Sequence, residues 1–121
     1  MAYKWYVPVV IATGATGLSA AYDFGGGHSR MGVVLDANWV DGGTTKPISY
    51  QVAATADGTY YDLYTEAGVE VHSHHAKSRA YSIDTQGKYL APFRYVKVRS
   101  GQTGAAVDQT NSPTLYFWFM R

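Results

Sequence analysis

The chain has no cysteine, which removes disulfides, thiolate metal sites and cysteine nucleophiles together. Its fold has to be held by packing and hydrogen bonds. With 121 residues, 46% of them hydrophobic, it has the length of one domain and enough apolar material to close a core without staples. Charge imbalance is missing too. Ten Lys and Arg against nine Asp and Glu leave a formal +1, and no basic run is available to neutralise a series of phosphates, so nucleic acid is not an expected partner. No stretch approaches the roughly 20 apolar residues of a membrane span. The apolar segment from Val7 to Ala21 is broken by Pro8, Gly14 and Gly17 and preceded only by Lys4 as a side-chain cation, against the pattern of a secretory leader. A membrane partner is not expected either.

Motifs of catalysis are equally scarce. Neither a Gly-x-Ser-x-Gly elbow nor a His-Glu-x-x-His run occurs. Asp23-Phe24-Gly25 and Gly25-Gly26-Gly27 are too short to be a kinase element or a phosphate loop and read as turn chemistry. The expectation is a protein that is not an enzyme and carries no cofactor.

A sustained helical period is also lacking, whereas alternation of period two recurs. Thirteen Gly, eleven Tyr and many Val, Ile and Thr residues favour strands and turns. Tyr3, Trp5, Val7, Val9 and Ile11 alternate, with Pro8 among them; proline cannot donate to a ladder, so residues 1–12 read as an edge strand or an extended arm. Residues 13–121 read as a single β-sandwich domain. Leu18, Ala20, Tyr22 and Phe24 alternate next, followed by the row Met31, Val33, Leu35, Ala37 and Trp39, with Trp39 the largest core anchor and a turn at Asp41-Gly42-Gly43. From Lys46 to Thr55, Ile48, Tyr50, Val52 and Ala54 take one side of the pleat. The Asp57-Gly58 pair predicts a tight hairpin turn with positive φ before a return over Tyr60 to Tyr64. Val69 to His75 and Arg79 to Ile83 are weaker strands, the latter followed by a turn from Asp84 to Gly87; Phe93 to Ser100 and Thr114 to Met120 complete the set. About eight short strands predict an all-β, antiparallel sandwich of jelly-roll type.

The last strand has no polar side. Leu115, Phe117 and Phe119 face one way and Tyr116, Trp118 and Met120 the other, so its second face needs a cover. Tyr3, Trp5, Tyr6, Val7, Val9, Tyr116, Trp118 and Met120 are therefore the expected interface residues. Tyr60, Tyr61 and Tyr64 offer flat faces on which a sugar can stack, although ordinary packing and interface use are the preferred reading of the aromatics. Glu70, His72 and His74 lie two apart on a probable strand, a spacing at which imidazoles share Zn²⁺ or Ni²⁺ with the carboxylate as a third ligand. The preferred reading there is a solvated edge with no metal.

The run Ile48-Ser49-Tyr50-Gln51, the segment Ala56-Asp57-Gly58-Thr59-Tyr60-Tyr61-Asp62-Leu63-Tyr64 and the later Arg94-Tyr95-Val96-Lys97-Val98-Arg99-Ser100-Gly101 resemble the discoidin-type, galactose-binding-like jelly-roll pattern. The stretch from Arg99 to Thr110 running into a final apolar strand resembles small virion proteins of tailed bacteriophages, including capsid cement or decoration proteins. That resemblance implies a non-enzymatic capsid decoration protein, located in the virion after assembly in the host cytoplasm. It would act as a homo-oligomer, a trimer by preference, with the major capsid protein or other virion proteins as partners. The alternatives are a carbohydrate-binding module, receptor-binding or lectin-like, and a tail or adaptor component.

Overall fold

The computed structural model describes residues 3–40 and 47–121. The predicted turn at 41–43 and the start of the Lys46 strand lie outside them. Along the described chain run β1 (Lys4–Val10), β2 (Tyr22–Asp23), β3 (Arg30–Leu35), β4 (Ile48–Ala53), β5 (Tyr61–Asp62), β6 (His72–Ser73), β7 (Arg79–Ser82), the helix α1 (Asp84–Leu90), β8 (Tyr95–Gln102), β9 (Ala105–Ala106) and β10 (Thr114–Met120). Two antiparallel sheets result, one ordered β1-β10-β3-β7 and the other β2-β8-β4-β5, with β6 and β9 added to β4 and β8.

This order is that of a jelly roll. The eight principal strands pair first with last, from β1 with β10, through β2 with β8 and β3 with β7, to β4 with β5. One long antiparallel hairpin has thus been rolled into two facing sheets. The alternation read in the sequence supplies both inner faces. Val9, Met31, Val33, Leu35, Leu115, Phe117 and Phe119 point inward from one sheet, and Ile48, Tyr50, Val52, Val96 and Val98 from the other. Tyr50 meets Phe117 edge to face at 6.3 Å between ring centroids, so the sheets touch through their largest side chains. Trp39 is buried, as expected.

Three local expectations are corrected. Residues Asp84–Leu90 form a helix where a turn was expected. Seven residues carry too little period to announce one, and Gly87 argues against it in isolation. Here that glycine is required: a Cβ on it would lie 2.6 Å from the Cβ of Met31 in β3, so its absence lets the helix lie on the sheet. Gly87→Ala in a helix ordinarily adds stability; here we expect a loss of about 1–3 kcal/mol from the forced separation of helix and strand, read as a lower urea midpoint at unchanged slope. A midpoint at or above wild type would show that the strand yields at no cost.

The Asp57-Gly58 pair is not a two-residue hairpin turn. Gly58 donates to the Thr55 carbonyl at 3.1 Å without a positive φ, in a wider loop between β4 and β5 whose register is Gln51 with Asp62. The weak strand from Val69 to His75 shortens to β6, because β5 and β6 share the same edge of β4, at Gln51–Val52 and Ile48–Ser49 respectively.

Candidate binding face on the four-stranded sheet

Side chains that do not enter the core must leave by the other face of the pleat. On the β1-β10-β3-β7 sheet the pairing sets them in rows across the strands: Tyr6, Trp118, Gly32 and Ser82 in one, Pro8, Tyr116, Val34 and Ala80 in the next. No charged side chain stands in either row. Charges begin at the flanking row of Lys4, Met120 and Arg30, with Arg30 near Asp84 at 3.4 Å. Tyr6, on the edge strand, is 53% exposed, and Trp118 and Tyr116 are 46% and 38% exposed on the interior strand β10, large values for rings with strands on both sides.

Trp118 stacks on Tyr6, with centroids 4.7 Å apart and planes 26° from parallel. On its other flank comes Gly32, where the lack of a side chain opens a trench of about 470 Å³ floored by β3 and walled by Trp118 and by Ala80 and Ser82 of β7. Asp84 closes one end, its Oδ1 accepting the Met31 backbone N–H at 3.0 Å. An aromatic centre with a charged margin is the anatomy of a docking surface.

The expected interface set is split by the alternation itself. Tyr6, Tyr116 and Trp118 lie on this face, with Met120 half-buried in its flanking row, whereas Tyr3, although exposed, sets its ring beside Trp5 at 5.4 Å, on the side away from this face. Trp5, Val7 and Val9 turn the other way and are corrected to packing residues. Val9 is fully buried, Val7 packs on the core, and Trp5 donates its indole N–H to the Phe24 carbonyl at 2.9 Å while stacking on Phe119. Period two puts Trp5 and Tyr6 on opposite faces, so they cannot serve one flat surface. Gly32, Val34 and Ala80 escaped sequence reasoning, since they join the face only through the pairing of β10 with β3 and β3 with β7.

The three tyrosines considered for sugar do not form one platform. The ring of Tyr60 is covered by the Lys97 ammonium at 4.6 Å, and its hydroxyl donates to the Ala56 carbonyl. Tyr61 and Tyr64 line a separate hollow with Leu63 and Phe93.

Glu70 is not positioned as a third metal ligand. Its Oε2 accepts from Arg99 Nη2 at 2.7 Å and from the Thr103 backbone N–H at 2.9 Å. Among the described residues no group of three or more potential ligands is assembled. The same guanidinium reaches Asp62 at 2.5 Å and Ser49 at 2.9 Å. Burial alone would raise the Asp62 pKa, but the hydrogen bond and charge of Arg99 hold it below the usual carboxylate value.

Comparisons with protein-family models, with curated proteins and with solved structures return no match.

Proposed function

We propose that this protein is a non-enzymatic structural component that works by adhesion, a virion protein of the capsid-decoration type whose four-stranded sheet packs against further copies of the chain and against the major capsid protein of the shell. The observation that carries the reading is the Tyr6–Trp118 stack standing half-exposed across β1 and β10, in rows of the sheet face that carry no charged side chain. Stacked aromatics bring large contact area at small entropic cost. A formal charge of +1 raises little long-range repulsion between copies. Jelly rolls recur in viral shells, in keeping with the phage resemblance of the chain.

Trp118→Ser tests the face directly, because the indole lies on the outward side of its strand and is not part of the core cluster. In sedimentation velocity the wild-type chain is expected to self-associate, and the variant to do so about 10–100-fold more weakly with an unchanged circular dichroism spectrum. A wild-type chain that stays monomeric, or a variant that associates equally well, would overturn the self-contact. Its place on the shell is tested by imaging particles made with and without the protein. Extra density on the former is expected; identical particles would sink the virion reading.

A further inference from the structure

With Glu70 engaged elsewhere, the neighbouring histidines are left as a pair. His72 lies in β6, held against β4 opposite Ser49. Two residues on, His74 leaves the chain on the same side, while Ser73 between them turns inward and bonds with His75 and Gln86. The two imidazole centroids are 5.8 Å apart.

The Nδ1 atom of His72 lies 3.1 Å from the Glu70 carbonyl oxygen. A carbonyl only accepts, so Nδ1 carries the proton, and in the neutral ring Nε2 keeps its lone pair for an outside partner. Orientation of a ligating histidine by a backbone carbonyl behind it is the usual second layer of a metal site. Glu70 itself is pinned by Arg99 and Thr103, so this carbonyl is fixed in place.

We infer that His72 and His74 form a two-nitrogen site for a borderline divalent transition-metal ion, of the Zn²⁺, Ni²⁺ or Cu²⁺ class. With metal–nitrogen bonds of about 2.0–2.1 Å, each ring centroid stands about 3.2 Å from the ion, so two rings on one ion are about 5.2 Å apart at a tetrahedral angle and about 6.4 Å apart in line. The observed 5.8 Å, with the ring planes 85° apart, falls inside that span. Because the nearby carboxylate is taken by Arg99, the site offers nitrogen rather than oxygen and discriminates against Ca²⁺ and Mg²⁺. Water fills the remaining positions.

Isothermal titration of the full chain with Zn²⁺ and, separately, Ni²⁺ tests the inference. One ion per chain is expected, with affinity falling by about tenfold or more in His72→Gln and in His74→Gln and as the solution is acidified, since a protonated imidazole cannot ligate. Mg²⁺ should give no heat. A Cu²⁺-loaded sample should show two equivalent nitrogens by electron paramagnetic resonance and one in either variant. That reading holds even if a substitution loosens the strand. Absence of binding, or binding that survives both single substitutions, would overturn the site and leave the adhesion proposal untouched.

Discussion

Arg99→Ala is expected to destabilise the fold by about 3–5 kcal/mol, the usual consequence of removing one partner from a buried ion pair. Arg99 is only 4% exposed on the outward side of the six-stranded sheet. Its fork bonds Ser49 of β4, Asp62 of β5 and Glu70 between β5 and β6. Without it two carboxylates face each other, with side chains only 26% and 11% exposed and no cation between them. Arg99→Lys keeps a charge but not the planar fork, and should cost less. The deficit of Arg99→Ala should also shrink as the pH falls. In the wild type Arg99 keeps Asp62 ionised below its ordinary pKa; in the variant that carboxylate accepts a proton more readily, and neutralisation removes part of the repulsion. Urea midpoints measured across acidic pH would show the two curves converging. A variant within 1 kcal/mol of wild type at neutral pH would mean that water replaces the guanidinium, on the order of a single solvated pair.

The same network shows how far the sequence could be read. Alternation disclosed the rows that build both inner faces, because a strand's parity is a local property: Met31, Val33 and Leu35, or Leu115, Phe117 and Phe119, announce themselves. It also announced that Tyr116 and Trp118 would emerge on the far side. What it could not disclose were relations between distant strands. Glu70 looked available to a metal because its partner Arg99 lies 29 residues away, and only the pairing of β8 with β4 brings the guanidinium beneath it. Gly32 became the floor of a trench only once β7 lay beside β3. The helix α1 is an extreme case, for its sequence Asp84-Thr85-Gln86-Gly87 resembles a turn and tertiary packing on Met31 overrides it. His28 likewise gave no signal; its Nε2 bonds the Gly87 carbonyl at 2.8 Å from a buried position, tying the helix to the start of β3.

Stability is expected to fall by about 1–2 kcal/mol between about pH 6.5 and pH 4, mainly through His75, a half-buried ring whose contact with solvent damps the effect. A chain of side chains runs from the core to this ring: the Tyr50 hydroxyl donates to Gln86 Oε1, Gln86 Nε2 donates to Ser73 Oγ, and Ser73 Oγ shares a hydrogen bond with His75 Nε2. His75 Nδ1 is buried without a partner, so an imidazolium, which needs an acceptor at each nitrogen, would be left one short and the neutral ring is favoured. Burial, assisted by repulsion from the adjacent His74, pushes the His75 pKa down to about 4 from 6.5. Since the folded value is the lower one, the unfolded chain takes up the proton first as the solution is acidified. Stability is therefore fully present above the unfolded value and is lost down to the folded one. Each unit of difference is worth at most about 1.4 kcal/mol, and less for a ring in partial contact with solvent. His28, whose pKa burial also lowers, acts with the same sign, so the contribution of His75 is isolated by difference. In His75→Asn the slope of unfolding free energy against pH should flatten across this window, with Asp23 and Asp62, both held low by arginines, causing losses only in stronger acid. Parallel slopes in the two proteins, or a His75 ring resonance titrating near 6.5, would refute the neutral imidazole at the end of this chain.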